Sequence, residues 1–176
     1  MLRISQPAPP FSNIPAYKKN TDGFTKISLS DYTGKWLVFF FYPRDFTFIC
    51  PTELKGFSTH RSEFTALNAE ILAASTDSEW SHKNWFERDL PDVDYPILAD
   101  NTHAISEAYD VYNPTDGLAE RGTFIIDPTG LVRYALVSSG SVGRSVSETI
   151  RVLKALQSGE LCPVEWNTGE KTLGKA

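Results

Sequence analysis

Among its 176 residues the chain has only two cysteines, one methionine and three histidines. Cys50 and Cys162, lying far apart, cannot form the dense disulfide framework of a small secreted domain. His60, His82 and His103 are scattered without ligand spacing, and neither cysteine has a neighbouring His or Cys. A zinc site is not expected. No Lys/Arg-rich block occurs and the net charge is −5, which argues against nucleic-acid binding. No apolar run approaches the ~18 residues of a membrane span, and residues 1–10 carry no apolar signal core. No Gly-x-Gly-x-x-Gly follows a strand, so neither a nucleotide nor another cofactor is called for. Repeats and low-complexity tracts are missing too. What these absences leave is a cytoplasmic enzyme that uses its thiols.

Hydrophobic residues at 41% and charged residues at 22% are ordinary globular usage, and the length suits one domain with a substantial core. Pro7 to Pro15 reads as an extended lead-in. Phe24–Ser30 alternates like a half-buried or edge strand, and Ser30–Gly34 is a turn. Trp36–Tyr42 is a continuous apolar run, as in a central strand covered on both faces. Leu54, Phe57, Phe64 and Leu67 recur at helical spacing from Cys50 onward. Pro51 fits only the first turn of that helix. Glu70–Thr76 is a second apolar strand, and Asp77-Ser78 caps a helix over Trp80–Leu90. Tyr95–Ala99 is strand-like and Thr102–Tyr109 a short helix. Gly122–Asp127 and Gly130–Val137 flank an Asp-Pro-Thr-Gly turn as a hairpin. A last helix runs from Ser145 to Leu156 and ends near Gly159. Alternating strands and helices give an α/β class with a mixed sheet, in residues 1–159, followed by a tail over 160–176.

The most informative stretch is Tyr42-Pro-Arg-Asp-Phe-Thr-Phe-Ile-Cys-Pro-Thr-Glu53. It puts Cys50 directly after an apolar strand and at the start of a helix. There, unpaired N–H groups and the positive end of the helix dipole stabilise a thiolate, the nucleophilic form of cysteine. A free cysteine can also be a small buried hydrophobe, a reading that the strand–helix junction disfavours for Cys50, and Cys162 in its polar tail can be an idle exposed thiol. Thr47 and Arg121, taken singly, are an ordinary loop threonine and a surface charge. Glu53 and Arg144 can be plain helix-start charges. Trp80, Trp85, Trp166, Phe46 and Phe48 read as core or interface filler.

Pro43, Thr47 and Cys50 form Pro-x-x-x-Thr-x-x-Cys, and the chain resembles the peroxiredoxins. Asp45–Glu53 is similar to the typical two-cysteine branch that includes bacterial alkyl hydroperoxide reductases. The likeness extends through Ile27–Trp36, Asp77–His82, Arg121–Asp127, Gly143–Val146 and Gly159–Pro163. It implies a thioredoxin-like fold, with N-terminal additions and a C-terminal tail. Cys50 would attack the O–O bond of hydrogen peroxide or an organic hydroperoxide and become a sulfenic acid. Cys162 of the other subunit of a homodimer would resolve it as a disulfide. A thioredoxin-type or flavoprotein (AhpF-like) disulfide reductase would recycle that bond, and such dimers often form decameric rings. By the same resemblance Arg121 supplies the cation beside the sulfur, Thr47 a hydroxyl, and Pro43 the screen against water. Glu53 and Arg144 orient Arg121, and Phe46 meets a neighbouring dimer.

Residues 110–120 lack the Gly-Gly-Leu-Gly insertion of overoxidation-sensitive relatives, and no Tyr-Phe-bearing helix follows Cys162. Resistance to sulfinic acid formation is therefore expected. Three other functions compete with this one. A thioredoxin-like oxidoreductase would place Cys-x-x-Cys, but position 53 is Glu. A cysteine hydrolase needs a motif-placed histidine, and none is seen. A chaperone-like assembly is open as an added role.

Overall fold

The computed structural model describes residues 2–175. The chain divides into two compact units at Arg144/Ser145. In the first unit, strands β1 (Ile14–Lys18), β2 (Gly23–Ile27), β3 (Trp36–Phe41), β4 (Ala69–Ser75), β5 (Ile97–Ala99), β8 (Arg121–Ile126) and β9 (Val132–Ser138) form one mixed sheet. Their order is β2-β1-β5-β4-β3-β8-β9. The centre is parallel, β3 with β4 and β4 with β5, while the β1–β2 and β8–β9 hairpins add antiparallel strands at the two edges. The central mixed sheet and flanking helices match the thioredoxin-like architecture expected.

Side chains alternate across each strand, so the Phe-rich run of β3 feeds both faces. Leu37, Phe39 and Phe41 join Leu72, Leu98, Tyr109, Phe124 and Ile126 in one apolar cluster. Phe40 stacks on Phe57 with ring centroids 4.3 Å apart, and Phe57 continues to Phe64. Those two phenylalanines belong to α1 (Cys50–Thr59) and α2 (Arg61–Ala66), which His60 separates. The single helix expected from Cys50 through Leu67 is thus two. Burying each phenylalanine contributes about 1.5–3 kcal/mol, so this face holds α1, and with it Cys50, firmly on β3.

The remaining α-helices of this unit are α3 (Glu79–Asp89) and the short α4 (Ala104–Ala108), and a 3-10 turn of helix, Leu29–Tyr32, joins β2 to β3. Ser78 caps α3 by accepting from Ser81 N at 3.1 Å. The hairpin turn after β8 is held by Asp127, whose carboxylate accepts from Thr129 N, the Thr129 hydroxyl and Leu131 N. Burial pushes that carboxyl up, but these hydrogen bonds outweigh it and leave it below its ordinary value.

Three strands escaped the sequence reading. Strand β1 takes the last two residues of the expected lead-in, Ile14 and Pro15, and runs on to Lys18, and β6 (Tyr112–Asn113) with β7 (Leu118–Ala119) forms a small separate hairpin. Pro15 pairs with β2 alone, because β5 meets β1 only at Ala16 and Tyr17. A missing N–H is tolerated at such a one-sided position.

The second unit is α5 (Val146–Ser158) and the segment after it. Ser145 caps α5 by accepting from Glu148 N, and Gly159 ends it at φ 64°, where glycine meets no steric penalty. The following segment folds back. Leu161 N donates to Gly174 O, Leu173 N donates to Leu161 O, and Trp166 Nε1 donates to Glu170 O.

Candidate active site

Helix α1 begins at Cys50 with Pro51 in its first turn and no side-chain cap from Ile49. The Cys50 sulfur is therefore the group that meets the positive end of the helix. Only 1% of the residue is exposed. From the start of β8, Arg121 Nη1 donates to Cys50 Sγ at 3.5 Å and to Glu53 Oε2 at 2.6 Å. Its Nε and Nη2 both donate to Gly140 O, at 3.0 and 2.8 Å. The guanidinium is thus fixed at three nitrogens, with one edge presented to the sulfur.

Glu53, one turn into α1, takes a second cation. Arg144 N and Nε donate to Glu53 Oε1, each at 2.9 Å, and Nη2 donates to Oε2 at 3.3 Å. The rest of Arg144 is satisfied by Gly122 O, Thr123 Oγ1 and Phe41 O. Its guanidinium lies 4.9 Å from the centre of the Phe40 ring. Burial, foremost, holds the Arg144 guanidinium below its ordinary pKa; Glu53 opposes that and Arg121 adds to it. Such a triad orients its members well, because both carboxylate oxygens and every guanidinium nitrogen have a partner.

The loop from Tyr42 to Ile49 lies before the helix. The Thr47 hydroxyl donates to Arg44 O at 3.0 Å. Its proton is engaged within the loop, where the expectation had it offered toward the reacting oxygen; its oxygen can still accept. Phe46 sits at φ 56°, a strained conformation for a bulky residue. Phe48 is 92% exposed, and Phe46 and Trp80 are also exposed, so these three are not core as one of the readings had it. Trp85 and Trp166 are buried.

The geometry therefore gathers Cys50, Glu53, Arg121 and Arg144 at one point. Pro43 and Thr47 lie in the adjoining loop. Cys162 belongs to the second unit, where its sulfur lies 3.4 Å from the Ser158 hydroxyl, half-buried and free of any disulfide.

Residues 4–135 match the family model described as the AhpC/TSA family. The chain belongs to that family. It is 45% identical to the peroxiredoxin prdx-2 of Caenorhabditis elegans, over 97% of this chain and 88% of that protein. It is 44% identical to a thioredoxin peroxidase of Trypanosoma brucei rhodesiense, over 97% and 89% of the two chains. Among solved structures, Mycobacterium tuberculosis AhpC superposes with a TM-score of 0.85 at 40% identity, covering 95% of this chain and 99% of that one. As a member of this peroxiredoxin family the chain is an oxidoreductase, a thiol-dependent peroxidase. No described helix is long and apolar enough to cross a membrane, and no described group of three or more His, Cys, Asp or Glu could hold a metal ion.

Sequence reasoning missed one cluster next to the site. His82, fully buried, pairs with the buried Asp45 at 2.8 Å from Nδ1 to Oδ2. The Tyr42 hydroxyl donates to Asp45 Oδ1 at 2.8 Å and Ser81 Oγ donates to Oδ2 at 2.8 Å. Burial, and then the charge on Asp45, raise the Tyr42 phenol well above its ordinary value, so it stays a donor. The one available signal was Asp45, a charge set in the apolar approach to Cys50.

Proposed function

We propose that Cys50 is the peroxidatic residue and that Cys162 of a second subunit resolves it. The 3.5 Å contact between Arg121 Nη1 and Cys50 Sγ at a helix N-terminus carries this reading. Both the guanidinium and the helix end favour negative charge on sulfur. The Cys50 thiolate attacks the terminal oxygen of a hydroperoxide, the O–O bond breaks, and sulfur is oxidised by two electrons to Cys50–SOH. The alkoxide or hydroxide that leaves takes up a proton to become an alcohol or water. Its developing charge needs fixed donors. Arg121 supplies them, pinned by Glu53 and Gly140, while Pro43 and Thr47 shape the approach. The Cys162 thiol then condenses with Cys50–SOH, forming an S–S bond and releasing water. A dithiol reductase of the thioredoxin or AhpF-like kind takes the two electrons back to the pair.

Hydrogen peroxide and organic hydroperoxides are the substrates in this reading. The subunits pair as a homodimer that assembles toward a decamer, in the cytoplasm. Residues 1–159 form the peroxidase domain and 160–176 the segment that carries Cys162. The short β6–β7 hairpin stands where sensitive relatives carry an insertion, so the cycle resists overoxidation.

Non-reducing electrophoresis before and after hydrogen peroxide tests the scheme. A covalent dimer that forms in the wild type but in neither Cys50→Ser nor Cys162→Ser is the expected result. Peroxide consumption by Cys50→Ser would overturn the first assignment. A dimer that persists in Cys162→Ser would overturn the second.

A further inference from the structure

We propose that His82 is a positioning residue, the link by which α3 holds the Tyr42–Ile49 loop in the geometry that reacts with peroxide. The proposal rests on the reading of Cys50 given above and adds to it a second element that controls the same sulfur.

One face of α3 is committed to this loop. Ser81 and His82 both reach Asp45 Oδ2 at 2.8 Å. One turn on, Trp85 lies against Phe46 with ring centroids 5.6 Å apart, and beyond it the Arg88 guanidinium sits 5.2 Å from the centre of the same ring. Positions 81, 82, 85 and 88 recur at helical spacing and so share a side of α3. They grip two consecutive loop residues, midway between Pro43 and Thr47. Asp45 is also tied through its backbone, its N donating to Asp77 Oδ2 at 2.9 Å. Phe46 keeps a left-handed φ of 56°, which persists only when its surroundings over-determine it.

His82 is the strongest of these links because both ring nitrogens are engaged. Nε2 lies 3.2 Å from Leu98 O, which can only accept, so Nε2 carries a hydrogen. Nδ1 faces Asp45 Oδ2 in a site with no solvent exposure at the histidine. Losing the His82 Nδ1 contact takes from Asp45 one of its three side-chain partners, Tyr42 and Ser81 being the others, and the loop loses its deepest tie.

The loop has two opposed duties. Held, it keeps Cys50 against Arg121 for the attack on peroxide. Released, it exposes a sulfur that is otherwise 1% accessible, so that a thiol can reach Cys50–SOH. Weakening the His82–Asp45 link therefore slows the first step and speeds the second.

His82→Gln and His82→Asn separate this from mere destabilisation. A glutamine amide sits near the position of Nε2 and keeps a donor toward Leu98 O but loses Asp45. An asparagine amide sits near Nδ1 and keeps Asp45 but loses Leu98. Rapid mixing with hydrogen peroxide, then trapping and mass spectrometry of Cys50, reads the first rate. Adding dithiothreitol to pre-formed Cys50–SOH in the Cys162→Ser background reads the second. For His82→Gln the first rate is expected to fall about 10- to 100-fold while the second rises several-fold; His82→Asn stays near wild type in both. Equal behaviour of the two variants, or two rates that fall together, would overturn the proposal. Should His82→Gln not fold, Ser81→Ala and Arg88→Ala carry the same test, with opposite shifts of smaller size expected and unchanged rates contradicting it. Wild-type protein that consumes no peroxide would instead refute the assignment of Cys50.

Discussion

Replacing Glu53 by glutamine removes one buried negative charge from between two buried guanidinium groups. In the wild type this carboxylate accepts from Arg121 at 2.6 Å and from Arg144 through its backbone N, Nε and Nη2. All three side chains are at most 4% exposed, so water cannot take over the lost contacts. A glutamine amide offers one oxygen to two cations and turns an N–H₂ group toward donors. Breaking a buried pair by removing one partner costs about 3–5 kcal/mol. For a domain of this size each 1 kcal/mol corresponds to roughly 2–4 °C in Tm, so the expected fall is about 6–20 °C. Arg121 then keeps only its ties to Gly140 O and the long 3.5 Å contact to Cys50 Sγ, and its edge is expected to turn from the sulfur. Misplacement of about 1 Å can cost on the order of 10²-fold in rate, and Cys50–SOH formation should drop on that scale. Calorimetry and rapid-mix trapping of Cys50–SOH measure the two effects. A Tm loss below about 2 °C, equivalent to less than ~1 kcal/mol, with an unchanged peroxide rate would refute the role given to this carboxylate.

Tyr95 donates its hydroxyl to Leu54 O in α1 at 2.8 Å, and Tyr95→Phe leaves that buried carbonyl short of a partner. Denaturant unfolding should show a loss of about 1–3 kcal/mol. A Cβ at Gly122 would come within 2.7 Å of Val111 Cγ1, inside the core. Gly122→Ala should therefore destabilise by about 1–3 kcal/mol through overpacking, and a neutral melt would contradict that contact. Burial, and then the charge of Asp45, raise the Asp77 carboxyl above its ordinary value of 3.8. Between that value and the raised one the folded state holds the proton more tightly than the unfolded chain. This group's contribution to stability is therefore present at acid pH and lost as pH rises through the window. The stability of Asp77→Asn relative to wild type should accordingly improve from acid to neutral pH, and a difference of the opposite slope would count against the reading.

The parts of the fold that the sequence exposed are those with a local cause. Trp36–Tyr42 is apolar without interruption because β3 is buried on both faces, and Pro51 after a cysteine can only sit in a first helical turn. Strand β1 was hidden because Pro15 breaks a strand pattern, and only the one-sided pairing with β2 makes it acceptable. The break at His60 left no mark, since Phe57 and Phe64 keep one face across it. At the site, Cys50 and Pro51 announce themselves, whereas Arg121 and Arg144 reach them from distant positions and were named by resemblance. Of the buried pair, only Asp45 left a trace, as a charge in the approach to Cys50, while His82 is ordinary alone; their meaning comes from a 2.8 Å contact across 37 positions.

Exposure and electrostatics make opposite forecasts for the two thiols, and that opposition gives the most direct test. Cys162 is the more accessible sulfur, while Cys50 is nearly buried beside Arg121. Wild-type protein is mixed with one equivalent of hydrogen peroxide, trapped within the first turnover, and mapped by mass spectrometry at residue level. Oxygen should arrive first on Cys50, and Arg121→Ala should slow that arrival without changing the reactivity of Cys162. Oxidation that begins at Cys162, or a Cys50 rate indifferent to Arg121, would contradict the account.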